Sequence, residues 1–175
     1  MKSLAPSQIQ PAHHATILRN NQEFVHWLSP LDAAGLTTLL SHADYAQQIA
    51  DGQAAVIGYD GGGAYRHKHV DYLSVRLDRY FYIDRVIIGA AAQGHGLGRA
   101  LYADLEDYAR ACGYTHIACE VNTRPDNPGS HAFHRALRFA VFGDADYDDG
   151  LSVRYYVRKL SPKTEKPLAA ARLPA

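Results

Sequence analysis

The run Arg85-Val86-Ile87-Ile88-Gly89-Ala90-Ala91-Ala92-Gln93-Gly94-His95-Gly96-Leu97-Gly98-Arg99 carries the most chemical information in this chain. A β-branched apolar stretch passes through a glycine-rich turn into a segment of helical periodicity, and a turn of that kind suits an anion. Gly94, Gly96 and Gly98 have no Cβ to hold a phosphate away from the backbone, and they can take the positive φ angles that aim successive N–H groups at one point. The first turn of the helix that follows adds unpaired N–H groups and the positive end of its dipole. Spacing excludes two common phosphate loops. Glycines at every second position do not make G-x-G-x-x-G, no acidic residue closes a second strand at the expected offset, and no Gly-Lys-Ser/Thr follows. A covalent thiol mechanism is disfavoured as well, because the carboxylate of Glu120 next to Cys119 raises the thiol's pKa rather than lowering it.

These residues need elements to position them, and the chain supplies a strand, a loop and a helix in that order. Tyr80 to Gly89 has the aromatic and β-branched content of a strand, and alternation places Tyr82, Asp84 and Val86 on one of its faces. Gly98 to Cys112 puts Leu101, Leu105, Tyr108 and Ala109 on one side of a helix. After the Cys112-Gly113 stop, Tyr114 to Val121 reads as a strand and Ser130 to Leu137 as a short helix with Ser130 as its cap. Ala140 to Phe142 and Leu151 to Leu160 read as closing strands around the acidic turn Asp144 to Gly150. Upstream, Pro11 to Phe24 reads as helical or mixed. Ser29-Pro30-Leu31-Asp32 reads as a helix start with Ser29 as N-cap and Pro30 at the first helical position, and Leu36, Leu39 and Leu40 share a face beyond it. Gln53 to Tyr59 reads as a short strand between glycine-containing turns. The order β-α-α-β-β-β-α-β-α-β-β describes one α/β (α+β) domain with a mixed sheet over residues 1–160, and the Pro-, Lys- and Ala-rich residues 161–175 read as a flexible tail.

Gln93-Gly94-His95-Gly96-Leu97-Gly98 fits the pattern Gln/Arg-x-x-Gly-x-Gly/Ala and resembles the acyl-CoA pyrophosphate loop of the GNAT superfamily of N-acetyltransferases. Tyr80 to Arg85, Cys119-Glu120-Val121-Asn122, Asn127-Pro128 and Ser130 to Phe139 extend the resemblance from about Tyr80 to Phe142, to an uncharacterised branch of predicted GNAT acetyltransferases. Arg138 stands where the family usually has glycine, so the turn there is expected to be strained or reshaped. The resemblance implies a mostly antiparallel sheet with flanking helices, whose fourth and fifth strands splay to leave a cleft. Val86, Ile87 and Ile88 would there present unpaired backbone groups to the pantetheine arm of the co-substrate acetyl-CoA. Gln93, Gly94, His95, Gly96, Leu97, Gly98 and Arg99 would cradle its diphosphate. Asn122, Asn127, Ser130, Phe133 and His134 would complete the cofactor contacts.

The chemistry implied is transfer of an acetyl group to a primary amine of a small molecule, amino acid or peptide by direct attack in a ternary complex. A non-catalytic acyl-CoA-binding sensor is the alternative. Attack needs a neutral amine, a site for the oxyanion and a proton for the departing thiolate. Glu120 is the first candidate base and Asp84 the second, with a salt bridge to Arg85 or Arg124 as the structural role open to either. His134 falls where the family commonly places a tyrosine acid, and an imidazole of pKa about 6.5 suits that task. Packing on the cofactor is its other role, and Tyr155 or Tyr156 could be the acid instead. The acceptor pocket is expected from Trp27-Leu28, from Tyr65 to Tyr72 as a strand region, and from Asp144 to Asp149, whose carboxylates could attract a cationic amine.

Composition sets the outer bounds. At 175 residues the chain suits one domain with a sizeable core, and its 18 basic and 18 acidic residues cancel, so neither nucleic acid nor a membrane is indicated as a partner. The resemblance leaves a homodimer open. With no signal peptide and no long apolar segment, the expected setting is the cytoplasm, where Cys112 and Cys119 would be small, buried, reduced side chains. His13-His14 and His67-x-His69 lack Cys or carboxylate companions at zinc spacing, so no metal is expected.

Overall fold

A computed structural model describes residues 5–161, and the expected tail lies almost wholly outside the described residues. Seven strands form one sheet: β1 (Ser7–Gln8), β2 (Tyr45–Ile49), β3 (Ala54–Asp60), β4 (Tyr80–Ile88), β5 (His116–Arg124), β6 (Ala140–Asp146) and β7 (Ser152–Lys159). Their spatial order is β1-β2-β3-β4-β5-β7-β6. Among the described residues five α-helices flank them: α1 (His14–Glu23), α2 (Ala33–His42), α3 (Lys68–Ser74), α4 (Leu97–Ala111) and α5 (Pro128–Ala136). Among the described residues, no helix is long and apolar enough to cross a membrane.

The sheet separates two apolar layers. On one side Leu97, Leu101, Tyr102 and Leu105 of α4 pack on Phe81, Ile83, Ile117, Cys119 and Val121. On the other, Ile17 of α1, Leu36 of α2 and Val70 and Leu73 of α3 pack on Ile57, Tyr59, Tyr80, Tyr82, Ile87, Ala118 and Tyr155. Every neighbouring pair of strands is antiparallel except β4 and β5, which run parallel and pair only at Tyr80–His116, Phe81–Ile117 and Tyr82–Ala118. Beyond Tyr82 the two strands part. β4 continues along β3 to Ile88, and β5 continues along β7 to Arg124. The splay expected of the fold is therefore present, and the edge of Val86, Ile87 and Ile88 that faces β5 has no strand beside it.

Several sequence expectations are corrected here. Tyr82, Asp84 and Val86 do not share a face. Opposite β4 the register passes from Gly58–Ile83 to Ile57–Arg85, so Asp84 is the extra residue of a β-bulge, and Val86 and Ile88 join the α4 layer with Ile83. The helix expected at Pro30 begins at Ala33, because the side chain of Asp32 accepts the Gly35 N–H at 2.7 Å. The carbonyl of Ser29 is drawn into the molecule by Arg85 Nη1 at 2.9 Å and Asn21 Nδ2 at 3.2 Å, so Ser29 caps nothing. At α5 the cap is Asn127, whose Oδ1 accepts the Ser130 N–H at 3.1 Å, with Pro128 in the first turn. Residues Tyr65 to Tyr72 form a loop and the helix α3 rather than a strand. Only seven residues long, α3 has too few turns to show a helical period. Cys119 is buried as expected, but Cys112, the C-terminal cap of α4, is exposed.

Arg138 closes α5 at φ +61°. Its N–H bonds to the Arg135 carbonyl and that of Phe139 to the His134 carbonyl, so Arg138 occupies the left-handed seat that glycine normally fills in this helix ending.

Candidate active site

The gap between β4 and β5 opens into a cleft of about 1000 Å³ that runs from the glycine loop to the α1–α2 connection. Its loop end is built by Gln93, Gly94, Gly96, Leu97, Gly98 and Arg99. Gly94 and Gly96 take φ +77° and +78°, and a Cβ on either would meet nothing within 4 Å. The space above them is open to a ligand, and the free N–H groups of the first turn of α4 start there. Gly98 has a different task. It is helical, and a Cβ there would lie 3.0 Å from both Ile88 Cδ1 and Phe133 Cζ, so its missing side chain lets α4 seat against β4 and α5. His95 and Arg99 are exposed, and the Gln93 amide reaches back to the Ile88 carbonyl at 3.5 Å. An exposed loop of positive-φ glycines, an unpaired strand edge and a helix N-terminus are what the diphosphate and amide-containing arm of coenzyme A require.

On the α5 side of the cleft stand Asn122, Asn127, Ser130, Phe133 and His134. Asn127 is occupied in capping α5, and Asn122 donates its amide to the Trp27 carbonyl at 3.3 Å. Trp27 returns a bond from its indole Nε1 to the Asp126 carbonyl at 2.8 Å, so the α1–α2 connection is tied across the cleft to the end of β5. His134 is 5% exposed and bonded through both ring nitrogens, with Nδ1 2.8 Å from the Ser130 carbonyl and Nε2 2.8 Å from the Tyr102 hydroxyl. A carbonyl only accepts, so Nδ1 carries the proton and Nε2 accepts from Tyr102. Burial pulls the imidazole down to about 4, and His134 is therefore a neutral ring at pH 7 with its one N–H committed to the backbone. The expected titration near 6.5 is displaced, and the hydroxyl proton beside the cleft belongs to Tyr102, itself held protonated by burial.

The opposite wall carries the carboxylates. Ala118 lies in the α1–α3 layer and Cys119 in the α4 layer, so Glu120 projects toward the α1–α3 side, where Tyr82 and Asp84 also stand. Tyr82 donates its hydroxyl to Glu120 Oε1 at 3.2 Å, His69 Nε2 lies 3.8 Å from the same oxygen, and the buried Oε2 has no partner. Burial, reinforced by the charge of Asp84, pushes the Glu120 carboxyl up to about 8. Asp84 is more fully engaged: Oδ1 accepts the Tyr65 hydroxyl at 2.8 Å and Oδ2 lies 3.9 Å from Arg85 Nε. Burial raises the Cys119 thiol well above its ordinary value, with Glu120 adding to it, in line with the argument against a thiolate nucleophile.

Other expected acceptor-site residues are used elsewhere. Asp144 pairs with Arg154 at 2.7 and 2.9 Å, Asp149 with Lys68 at 2.6 Å, and Asp146 accepts from Ser152 at 2.5 Å. The acidic residues thus pin the β6–β7 hairpin, and only Leu151 of that region lines the cleft. The Tyr156 hydroxyl bonds His131, and that of Tyr155 bonds His69 and Tyr147. Of the expected acceptor stretch Tyr65 to Tyr72, His67 and His69 line the cleft, whereas sequence reasoning missed Tyr102 and the bonds of Tyr82 to Glu120 and of Tyr65 to Asp84. Tyr102 carried a signal, since it lies on the same helix as the loop, one turn in.

The model of the Acetyltransferase (GNAT) family matches residues 21–139, a span that holds the bulge, the glycine loop, Glu120 and α5. The chain belongs to this family. Membership makes it an acetyltransferase. Solved structures agree in fold. The ribosomal-protein-S18-alanine N-acetyltransferase of Escherichia coli superposes with a TM-score of 0.66 at 15% identity, covering 95% of this chain and 98% of that one. Ard1 from Thermoplasma volcanium gives 0.70 at 15% identity over 90% and 97%. The GNAT superfamily phosphinothricin acetyltransferase of Sinorhizobium meliloti, solved in complex with acetyl-CoA, gives 0.64 at 17% identity over 95% and 94%. A search of curated proteins finds no match.

Proposed function

We propose that this acetyltransferase transfers an acetyl group from acetyl-CoA to a primary amine, with Glu120 as the base. The observation that carries the reading is the buried, unpartnered Oε2 of Glu120 in a cleft whose far end is an open glycine cradle. Acetyl-CoA supplies the activated acyl group as a thioester. Gln93 to Arg99 hold its diphosphate on their backbone, and Val86, Ile87 and Ile88 offer the strand edge to its arm. Phe133 and Ser130 flank it from α5.

A lysine-type primary amine reaches the cleft as an ammonium of pKa about 10.4, an α-amino group as one of about 8, and the base must remove the proton before attack, the first case being the more demanding. An ordinary glutamate near 4.3 makes that transfer uphill by about 8 kcal/mol, whereas a carboxyl near 8 makes it uphill by only about 3 kcal/mol. That difference favours Glu120 over Asp84, whose oxygens face Tyr65 and Arg85 and whose charge serves to raise Glu120. The Tyr102 O–H, which rests on His134 Nε2, turns to the leaving sulfur and protonates it, and the tyrosinate regains a proton from water once the products leave, with His134, neutral and fixed by Ser130, holding the oxygen in place. The amine's surroundings are Phe24 to Pro30, His67 and His69, with the charge of Asp84 favouring a cationic acceptor.

The test is free-thiol release from acetyl-CoA with a panel of amines: an alanine-initiated peptide, phosphinothricin, lysine and spermidine. The first two are drawn from what the similar structures act on. Amine-dependent thiol release that Glu120→Gln lowers by about 10²-fold is the expected result. Thiol release that no amine stimulates would overturn the reading.

A further inference from the structure

Arg85 lines the cleft beside Asp84, and part of its hydrogen-bonding capacity is unspent there. We propose that the Arg85 guanidinium holds the carboxylate of the acceptor, which makes the acceptor a free amino acid with an apolar side chain rather than a polyamine or a peptide. The inference rests on the reading of the cleft as an amine acetyltransferase site and names the class of amine.

Two structural bonds account for one corner of the guanidinium. Nη1 donates to Asn21 Oδ1 at 2.6 Å and to the Ser29 carbonyl at 2.9 Å, which fastens the α1–α2 connection to β4. The opposite edge is not accounted for. Nε is buried without a hydrogen-bond partner, and Nη2 is neither hydrogen-bonded nor fully buried among the described residues. Asp84 Oδ2 stands 3.9 Å from Nε, which is an attraction between charges but too long for a hydrogen bond, and Asp84 Oδ1 is taken by Tyr65. An arginine needed only to fasten the connection would turn this edge to water, yet the side chain is only 11% exposed and faces the cleft. A buried donor without an acceptor is unfavourable, and an acceptor brought by a ligand recovers the loss.

The unspent edge has a chemical preference. Nε–H and the adjacent Nη2–H are parallel and coplanar, spaced to meet the two oxygens of a carboxylate. Asp84 beside them leaves room for a single negative charge, which favours a carboxylate over a phosphate dianion. Asp84 and Arg85 together present one acid and one base, the charge pattern of a zwitterion. The charge of Arg85 is felt at Glu120, and both residues line the same cleft, so a carboxylate at one and an amine at the other belong to one small molecule. Leu28 and Pro30 flank the Ser29 carbonyl on which Arg85 rests, and with Val25 and Leu151 they give that end of the cleft an apolar lining for a side chain. A polyamine would bring a second cation toward Arg85 and no anion. A peptide has an amide where the carboxylate belongs.

The test compares acids with their amides. In thiol-release assays with acetyl-CoA, leucine and phenylalanine should show KM values about 10-fold or more below those of leucinamide and phenylalaninamide. Chemistry alone would favour the amides, whose amines give up a proton more readily. Arg85→Gln should raise the KM of the acids about 10- to 100-fold and that of the amides far less, so that the preference collapses. Arg85→Lys, which keeps the charge without the fork, should retain part of it. A role confined to fastening Ser29 would move acids and amides alike. Equal KM values in the wild type, or a preference there for the amides, would overturn the proposal without any variant having to fold, and so would an Arg85→Gln that shifts both classes equally. Failure of the amine reading is a separate result. If no amine stimulates thiol release, calorimetry of the coenzyme A-bound protein with N-acetylleucine and N-acetylleucinamide decides on Arg85 alone. Tighter binding of the acid, lost in Arg85→Gln, upholds the carboxylate seat, and equal binding of the two removes it.

Discussion

Burial leaves Glu120 neutral at pH 7, and the sign of that shift fixes two observables. Only the ionised carboxylate can take a proton, so kcat/KM should rise with pH through about 8 and fall below it, and Glu120→Gln should lose this limb together with about 10²-fold in rate. Stability should run the other way. A carboxyl whose folded pKa lies above its unfolded value of about 4.3 stabilises fully below that value and loses the contribution as pH rises toward 8. Urea unfolding at pH 8 should therefore find Glu120→Gln more stable than the wild type, and the advantage should vanish at pH 4. The residues of this site were legible in the sequence where chemistry depends on type and order, as with Glu120 in its strand and the glycines before their helix. The bonds of Tyr82 and Tyr65 and the approach of His69 were not, because these side chains reach Glu120 and Asp84 from elements whose arrangement depends on long-range pairing.

Two glycines of one loop separate at the scale of elements. Gly96 stands at φ +78° over open space, so Gly96→Val strains the backbone and blocks the cradle, and calorimetry should show acetyl-CoA binding lost with the fold retained. Gly98 fills a seam between helix and strand, and Gly98→Val should instead destabilise the protein by about 1–3 kcal/mol through overpacking. At the end of α5, Arg138→Gly should raise stability by about 1 kcal/mol in thermal unfolding, because it relieves a left-handed residue at an exposed position. The odd residue there was readable from the sequence, as were β4, α4 and β5 with their strong periodicity. Caps were read one candidate too early or too late: Ser29 and Asp32, or Asn127 and Ser130, are equally good cap types, and only tertiary bonds to Ser29 and the geometry of Pro128 choose between them. The bulge at Asp84 left no trace, since an extra residue in a strand changes register without changing composition.

At the scale of the molecule, the parallel pair β4–β5 is the one seam where the sheet's two antiparallel halves meet, over three residues. The splay of the fourth and fifth strands was implied by resemblance, whereas the depth of the cleft depends on how soon that pairing stops. Histidines set the acid limit. His69 and His134 are held neutral, with folded values of about 3 and 4 below the usual 6.5, so their contribution is present above 6.5 and is lost as pH falls toward 4 and then 3. The far side of the cleft is closed by Trp27, which gives its indole N–H to Asp126 and takes the amide of Asn122. Trp27 is also the single tryptophan of the chain. Whatever enters between β4 and β5 passes beneath the molecule's one strong ultraviolet emitter, so its fluorescence should change in proportion to occupancy and give a label-free titration of coenzyme A and of acceptor amines, with Trp27→Phe as the dark control.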